Sequence, residues 1–375
     1  MKLSLVTAVL LILGLSGLSL AGRFCQPEDS CWPTPEEISA FAASLSPSQP
    51  DCPRSFASPD DPGEYMDNLW YPEAPDRITI YELANLRNKV MDGNKAFFVV
   101  IAKDQSEVVK AVKFATSHNI GISVFSTGHE FNDRNSGLEP NSLLIRTTCL
   151  RTSELELGET NKFGHPAGWA RLGSGLTWGT SKFGWPGVHQ TARDVGRVVV
   201  SGHAGNVGIV GWSLGGGHGQ LVGSHGLGVD QVLEVEMVIA DGSVVVANSN
   251  GTLVRTEAGR TEWSEDTSLY WAVRGGGAGP WGVVTHLTIK LHRPRQDCEE
   301  GCYTNYNLMW YNKFEADDAA MAVDVTQAYM NWVGGTASRY WSSYGGMSPG
   351  EAALVLHSTG YQYVFQMIKA DTLFG

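Results

Sequence analysis

Runs of apolar residues alternate with amphipathic segments and predict alternating strands and helices. Ala96–Ala102 (AFFVVIA) is apolar throughout, which is typical of a buried strand. From Gln105 to His118 apolar residues recur at helical spacing, and Asp104 and Glu107 have the spacing of a capping box. Gly121–Phe125 (GISVF) predicts a second strand. These elements form a β-α-β unit, and the loop after its second strand is where such units commonly bind ligands.

Shorter apolar runs predict further strands in the middle of the chain. They are Leu143–Arg146, Ala170–Leu172, Val232–Ala240, Ser243–Ala247 and Trp281–His292. Asp241-Gly242, between two of these runs, is a strong hairpin signal. The last run alternates well enough to predict a strand with one solvated face.

The two ends of the chain differ in texture from the middle. Residues 22–75 are rich in Pro, Asp and Ser and contain one predicted helix, Pro35–Leu45. Beyond residue 303 we predict a strand over Asn305–Trp310, a helix over Lys313–Trp332 and a strand-like segment over Ala353–Phe365. The change places a domain boundary near residues 295–303.

The most unusual segment is rich in glycine. Eleven of the 28 residues from Ser201 to Gly228 are glycine, with apolar side chains interleaved. That density excludes an ordinary core helix or strand, and a flexible linker is one interpretation. The interleaved apolar residues favour a packed segment that brings bare backbone N–H groups against a large, flat, anionic cofactor. The spacing does not match a P-loop, and Gly215-x-Gly217-x-Gly219 lacks the helix that follows a dinucleotide fingerprint.

The first residues predict a secretory signal peptide. Lys2 precedes the mostly apolar run Leu5–Leu18, and Ser19-Leu20-Ala21 offers a cleavage site, so residues 1–21 or 1–22 are expected to be removed. A buried N-terminal helix is the alternative. The run is too short to span a membrane comfortably, and the net charge of −12 argues against nucleic acid and anionic membranes as partners. We expect a secreted, extracellular protein.

Secretion makes the six cysteines candidates for disulfides: Cys25, Cys31, Cys52, Cys149, Cys298 and Cys302. The pairs Cys25/Cys31 and Cys298/Cys302 are close enough in sequence to bridge, and the full connectivity stays open. Metal binding is the alternative, but no C-x-x-C or paired-histidine spacing supports it, so no metal site is predicted. Asn250-Gly251-Thr252 is an N-glycosylation sequon in an expected polar loop.

Four ordered motifs together resemble a known family. They are Ser126-Thr127-Gly128-His129-Glu130-Phe131, VGIVGWSLGGGHG (207–219), GLGVDQVLEVEMVIADG (226–242) and DTSLYWAVRGGGAGPWGVVT (266–285). In this order they resemble the secreted berberine bridge enzyme-like flavin-dependent oxidases of the vanillyl-alcohol oxidase/p-cresol methylhydroxylase (PCMH) superfamily. The start, from Cys25 to Pro33, is similar to fungal-type members, and the resemblance covers residues 25–295.

The resemblance implies an α+β fold. A PCMH-type FAD-binding domain of two α/β subdomains, residues 76–295, would follow the Cys/Pro-rich segment 22–75 and hold the flavin between its subdomains. In family members the histidine of this loop carries the flavin through its C8α methyl group, so His129 is expected to bind FAD covalently. Since no cysteine stands just before Val207-Gly208, a second covalent link is not expected.

The family pattern also supplies the candidate FAD contacts. They are Thr127, Gly128, His129, Glu130, Phe131, Gly205, Asn206, Val207, Gly208, Gly211, Trp212, Gly215, Gly216, Gly217, Val283 and Val284. Arg274 is expected either to bind a phosphate or to pair with Asp266. Four further residues are expected to be structural. His218 and His225 are expected to hydrogen-bond to the backbone, and Asp230 and Glu234 to lie at strand starts and on the surface.

The implied chemistry is oxidation of a substrate C–H bond by hydride transfer to flavin N5, followed by reduction of O₂ to H₂O₂. Family substrates include alcohols, sugars and alkaloid-like compounds. The base would lie in the substrate domain and is not assigned, because none of the candidate tyrosines stands in a specific motif: Tyr306, Tyr311, Tyr340, Tyr344, Tyr361 and Tyr363.

The chain ends at Gly375, inside the α+β substrate domain expected from residue 296. It has no counterpart of the Tyr- and Asn-rich segment that closes the family's substrate domain. A catalytically inactive or truncated secreted homologue that keeps the flavin-binding fold is therefore the alternative to an active oxidase. An NAD-dependent dehydrogenase is a third hypothesis, which secretion and the missing dinucleotide fingerprint disfavour. Substrate and oligomeric state stay open.

Overall fold

The computed structural model describes residues 23–45, 98–127, 129, 142–180, 185–256, 258–277, 279, 281–294, 305–313, 341–348 and 351–359, with single residues at 324, 327, 328, 330, 331 and 335. The predicted signal peptide lies outside these residues. The chain divides into two compact units. The first comprises Met1–Ile101, Lys110–Ser123 and Glu130–Ile145, and the second Ala102–Val109, Val124–His129 and Arg146–Gly375.

In the first unit, helix α1 (Pro35–Ser44) forms close to its predicted position. Thr34 accepts a hydrogen bond from the Glu37 N–H, and the Glu37 carboxylate accepts one from the Thr34 N–H. This capping box satisfies N–H groups that the first turn leaves without partners. The buried Phe41 ring stacks on Phe114 with 4.1 Å between ring centroids. The capping box and the packing of Phe41 on Phe114 therefore both stabilise this helix.

The disulfide expectation is confirmed at one pair. Cys25 and Cys31 form a disulfide. Cys149, another of the predicted candidates, is also disulfide-bonded. Cys52, Cys298 and Cys302 lie outside the described residues.

The predicted β-α-β unit is confirmed. Its elements, with one further strand, are β1 (Phe98–Ile101), α2 (Gln105–Ser117), β2 (Ile122–Phe125) and β3 (Leu143–Arg146). The strand order is β1-β3-β2. The N–H groups of Phe98 and Ala102 donate to the carbonyls of Ser142 and Arg146. Because the partners advance in the same direction on both strands, β1 and β3 run parallel.

The second unit contains a seven-stranded sheet with the order β4-β5-β10-β6-β7-β8-β9. The strands are β4 (Ser153–Glu156), β5 (Trp169–Gly173), β6 (Val232–Val238), β7 (Val244–Asn248), β8 (Gly251–Arg255), β9 (Thr261–Ser264) and β10 (Val283–Lys290). All neighbours pair antiparallel. The hairpin predicted at Asp241-Gly242 joins β6 to β7, with Val238 opposite Val244. The solvated face predicted for β10 is wrong, because this strand lies between β5 and β6 and is buried along most of its length.

Short helices accompany this sheet. They are α3 (Val188–Arg193), α4 (Ile209–Leu214), α5 (Val222–His225), a 3-10 helix (Gly228–Gln231) and α6 (Ser268–Gly276). Two α-helices thus lie inside the glycine-rich segment, and the expectation that its composition excludes a core helix is wrong. Helix α4 is only six residues long and buries Ile209 and Leu214 in the core of the unit. That apolar burial outweighs the helix cost of one internal glycine, about 1 kcal/mol.

Three further strands pair as an antiparallel sheet in the order β11-β13-β12. They are β11 (Asn305–Lys313), β12 (Trp341–Ser348) and β13 (Glu351–Thr359). Strands β11 and β13 confirm two predicted segments, and residues 360–365 lie outside the described part. The helical residues 324, 327, 328, 330 and 331 fall within the predicted helix, but Lys313 ends β11 instead of beginning that helix. No helix among the described residues is long and apolar enough to cross a membrane.

Candidate functional site

The loop after β2 and the start of α4 meet through their polar groups. The Gly208 N–H donates to the Thr127 hydroxyl at 3.0 Å. A Cβ atom added to Gly208 would lie 2.9 Å from the Ser126 hydroxyl oxygen and 3.3 Å from that of Thr127. Only glycine leaves room for this approach. The structure therefore joins the loop and the glycine segment that the sequence selected separately.

Two side-chain hydrogen bonds anchor the loop at Ser126. The Ser126 side chain donates to the Ser174 carbonyl at 3.0 Å, and the Thr148 side chain donates to the Ser126 carbonyl at 2.8 Å. Neither Ser174 nor Thr148 was predicted, since no motif marks them. Their positions follow from the turn after β5 and from the end of β3.

Among the described residues, the hydroxyls of Ser174 and Ser213 are buried without a hydrogen-bond partner. Ser174 belongs to the backing of the loop, and Ser213 lies on α4. A buried hydroxyl without a partner is costly. Polar atoms of a ligand that reached these hydroxyls would satisfy them.

At several of the candidate positions, close approach of the protein's own backbone already accounts for the glycine. Gly205 lies against Gly179, whose N–H donates to the Gly205 carbonyl at 2.7 Å. Gly217 has a φ of +73°, and a Cβ atom there would lie 2.6 Å from the Gly228 Cα. A Cβ atom on Gly215 would lie 2.9 Å from the Gly211 carbonyl oxygen. These positions need glycine for backbone packing.

Gly211 is different, because it sits inside α4 and a Cβ atom there would meet nothing within 4 Å. Alanine would be a better helix former by about 1 kcal/mol. Gly216 also faces open space, although its φ of +115° already requires glycine. Gly211 lies one helical turn after Gly208, which binds Thr127, and its open face fits a large, flat cofactor that approaches the backbone closely.

The remaining aromatic and apolar candidates have contacts with other residues of the protein. Trp212 donates its indole N–H to the His218 carbonyl at 3.1 Å, and its ring lies 5.0 Å from that of Trp178. Val283 and Val284 are buried at the start of β10, opposite Val238 and Met237 of β6.

The other loop candidates lie on both sides of this junction. His129, two residues after Thr127, is half-buried. Asn206 is exposed, and the Val207 carbonyl accepts a hydrogen bond from the Trp178 N–H. Three candidates lie outside the described residues: Gly128, Glu130 and Phe131.

Arg274 is anchored within its own unit. Its Nε donates to the Val229 carbonyl at 3.1 Å, and its Nη2 lies 3.6 Å from an Asp230 carboxylate oxygen. The expected pairing with Asp266 is wrong, because that carboxylate accepts hydrogen bonds from the backbone and hydroxyl of Ser268.

Glu234 was expected at the start of a strand or on the surface. It lies near the start of β6, but the surface position is wrong. Its side chain is buried in the sheet. The Lys162 ammonium lies 2.9 Å from both carboxylate oxygens, and the Asn248 amide donates to one of them at 2.9 Å. The partners come from distant parts of the chain, and the buried charge is paired as such a group requires.

A buried ionic network crosses the sheet at β5, β6 and β10. The Glu236 carboxylate lies 3.0 Å from Arg171 and 3.1 Å from His286, and the Gln105 amide also donates to it. Burial acts to raise the pKa of Glu236, but the hydrogen bond from His286 and the charge of Arg171 outweigh it and lower the pKa to about 2. Gln105 is the first residue of α2, so the network includes the start of that helix.

Three histidine rings pack together beside the 3-10 helix. The His292 ring lies 4.3 Å from His225 and 5.6 Å from His165, measured between centroids. His292 Nε2 and the Gln231 amide oxygen are 2.7 Å apart. Burial lowers the pKa of His292, and the charges of His225, His165 and Lys290 lower it further, to about 3. Burial also lowers the pKa of His225 and of His165, so the cluster is neutral in the folded protein near neutral pH.

Comparison with known proteins places this geometry in a family. The profile of the FAD binding domain family matches residues 97–248. The chain is 28% identical over 307 residues to FAD-linked oxidoreductase apf9 of Gibberella fujikuroi, covering 76% of this chain and 49% of that protein. It is 30% identical over 296 residues to malF of Malbranchea aurantiaca, covering 71% and 46%. It is 33% identical over 202 residues to the VAO-type flavoprotein oxidase VAO615 of Thermothelomyces thermophilus, covering 54% and 31%.

Solved structures show the same fold. The BBE-like 1 protein of Physcomitrella patens superposes with a TM-score of 0.65 at 20% identity, covering 90% of this chain and 59% of that one. The VAO-type flavoprotein MtVAO615 of Myceliophthora thermophila gives 0.60 at 19% identity, covering 92% and 61%. The chain spans about half the length of the curated relatives it matches.

The fold, with the loop of Thr127 joined to the glycine segment, defines a flavoprotein with a PCMH-type FAD-binding domain, and its cofactor is FAD. The α+β prediction is confirmed. Residues 97–248 belong to the FAD binding domain family, and the chain is similar to FAD-linked oxidoreductases in sequence and to berberine bridge enzyme-like and VAO-type flavoproteins in fold.

Proposed function

We propose that this protein is a secreted FAD-dependent oxidase that acts on an alcohol, a sugar or a related small molecule and uses O₂ as electron acceptor. Bound FAD would accept two electrons from a substrate C–H bond, and O₂ would be the final electron acceptor and be reduced to H₂O₂. The observation that carries the proposal is the hydrogen bond between Thr127 and Gly208, which lies one helical turn before the open-faced Gly211. One relative, VAO615, is itself described as a flavoprotein oxidase, which supports the same reaction class.

His129 is the residue we propose as the covalent carrier of FAD. It lies two residues beyond Thr127, whose hydroxyl ties this loop to the glycine segment. A neutral imidazole nitrogen is a competent nucleophile. A covalent link would keep the cofactor bound outside the cell, where lost FAD is not replaced.

The apolar run at residues 5–18 supports the secretory part of the proposal. The disulfide between Cys25 and Cys31 supports it as well, because such bonds form and persist in oxidising compartments. A net charge of −12 suits an uncharged or cationic small substrate better than a polyanion.

The first experiment is a visible absorption spectrum of the purified protein, repeated on pellet and supernatant after acid precipitation. We expect flavin absorbance that stays with the pellet in wild-type protein and in His203→Ala, an exposed histidine that serves as control. In His129→Ala we expect the flavin in the supernatant. A folded protein without flavin contradicts the proposed oxidase.

O₂ consumption with a panel of alcohols and sugars then tests the reaction. We expect at least one compound to reduce the flavin and to release H₂O₂. A bound flavin that no compound reduces would favour the alternative, an inactive homologue that keeps the flavin-binding fold.

A further inference from the structure

The N-glycosylation sequon lies at the tip of a tight hairpin. Asn248 of β7 pairs with Gly251 of β8, so Ser249 and Asn250 alone form the connection. The Asn250 N–H donates to the Asn248 side-chain oxygen at 2.9 Å, and both loop residues are exposed. The loop expected around the sequon is therefore shorter than predicted, because Gly251 already belongs to the strand. The turn presents Asn250 to solvent.

An exposed indole lies directly beside this turn. Trp263 is on β9, and 54% of its surface is exposed. A Cβ atom added to Gly251 would lie 2.8 Å from the Trp263 Cζ2 atom, so the indole covers the residue that follows Asn250. Leu253, opposite Trp263 in the β8–β9 register, continues the same face.

The strand that carries this indole is the edge of the seven-stranded sheet. All four residues of β9, from Thr261 to Ser264, are exposed. An exposed edge with an aromatic side chain invites pairing with other chains unless something covers it. A bulky, hydrophilic group on the adjacent turn would provide that cover.

We propose that Asn250 carries an N-linked glycan whose first N-acetylglucosamine packs on the Trp263 indole. A sugar ring presents polarised C–H groups that suit the negative face of an indole. The linkage forms when the Asn250 side-chain nitrogen attacks C1 of a polyprenyl-diphosphate-linked oligosaccharide. The N–C1 bond replaces one amide N–H bond, the C1–O bond to the diphosphate breaks, and the leaving diphosphate and the released proton balance the reaction. The proposal rests on the secretory route proposed above.

The neighbouring threonine indicates when the modification happens. In the folded hairpin the Thr252 hydroxyl donates to the Asp266 carbonyl at 2.7 Å. The sequon needs this hydroxyl. The glycan is therefore added before β8 and the segment around Asp266 come together.

The first test is the intact mass of the full chain secreted from a eukaryotic host behind a heterologous leader, before and after enzymatic glycan removal. We expect a mass loss on deglycosylation for wild-type protein and for Thr252→Ser, which keeps the sequon. We expect none for Asn250→Gln or Thr252→Ala. Secreted wild-type protein with the mass of the bare chain overturns the proposal.

The second test measures the packing on the indole. The glycosylated and enzymatically deglycosylated proteins are treated with N-bromosuccinimide, and tryptophan oxidation is mapped by peptide mass. We expect Trp263 to oxidise several-fold more slowly in the glycosylated form. Trp271, which is 79% exposed on α6, should react equally in both forms and serves as the internal control. Equal oxidation of Trp263 in both forms overturns the stacking.

Flavin absorbance separates this inference from the proposed function. A glycosylated protein with a protected Trp263 but no flavin supports the glycan and contradicts the oxidase. A protein that binds flavin but carries no glycan on Asn250 contradicts the glycan and leaves the proposed oxidase standing.

Discussion

The hydroxyl of Thr127 accepts a hydrogen bond from the Gly208 N–H across 81 residues of sequence. Gly208 is the N-cap of α4, so this bond anchors the start of that helix to the loop after β2. The bond lies within a single compact unit. It links the two segments assigned to FAD binding and is the contact whose loss should be most informative.

Removing this hydroxyl should cost stability and loosen FAD. In Thr127→Val the buried Gly208 N–H loses its acceptor while the side-chain shape is kept, at a cost of about 1–3 kcal/mol in the free energy of unfolding. Thr127→Ser keeps the hydroxyl and should stay near wild type. Urea unfolding and the flavin absorbance retained after gel filtration measure both effects. Equal behaviour of the two variants contradicts the assigned bond.

Gly211 should separate cofactor binding from protein stability. A Cβ atom there meets nothing within 4 Å, so Gly211→Ala should leave the free energy of unfolding of the FAD-free protein unchanged or raise it by up to about 1 kcal/mol. If FAD lies against this face of α4, the added methyl group should weaken its binding several-fold. Thermal unfolding and flavin titration give the two readouts.

Gly217→Ala is the matched control. Its φ of +73° and a Cβ distance of 2.6 Å to the Gly228 Cα make alanine strained there. We expect a loss on the order of 1–3 kcal/mol in stability with or without FAD. If Gly211→Ala binds FAD as tightly as wild type, that residue is not a cofactor contact.

The apolar elements were predictable from the sequence, and the polar ones were not. Phe98–Ile101 and Leu143–Arg146 are buried strands, and their runs of apolar side chains predict them. The Asp104 carboxylate accepts from the Glu107 N–H at 3.1 Å, as the capping-box spacing indicated. The edge strands Ser153–Glu156 and Thr261–Ser264 are largely exposed and polar, so no periodicity marks them.

The candidate site divides in the same way. Motif order selected the Thr127 loop and the glycine segment, and the structure brings them together. Ser174 was missed because its role depends on a carbonyl that only the folded turn presents to Ser126. Glu234 was misplaced because burial depends on Lys162, which is 72 residues away. Local patterns cannot report partners that long-range topology supplies.

Glu236 should make the protein acid-sensitive below about pH 4.5. Its pKa is about 2 in the folded protein against an ordinary 4.5, so its contribution is present above pH 4.5 and is lost as pH falls towards 2. This contribution is on the order of 2 kcal/mol. Glu236→Gln should be less stable at neutral pH and should lack that part of the acid dependence, measured as urea unfolding at several pH values.

Glu154→Gln is the matched control, since Glu154 contacts the same arginine at 3.2 Å but is 63% exposed. An exposed pair of this kind contributes about 0–1 kcal/mol. If Glu154→Gln and Glu236→Gln lose equal stability, the buried network does not work as described.

The histidine cluster should add a second acid dependence at higher pH. The pKa of His292 is about 3 in the folded protein and 6.5 when exposed. Between these values the unfolded chain binds a proton that the folded protein excludes, so stability falls as pH drops from 6.5 towards 3. His292→Gln keeps a polar group near Gln231 and should flatten this slope, by on the order of 1 kcal/mol between pH 7 and pH 5. His203→Gln, at an exposed histidine, should keep the wild-type slope. Parallel pH curves for wild type and His292→Gln would show that the cluster tolerates protonation, and the acid sensitivity would then rest on Glu236 alone.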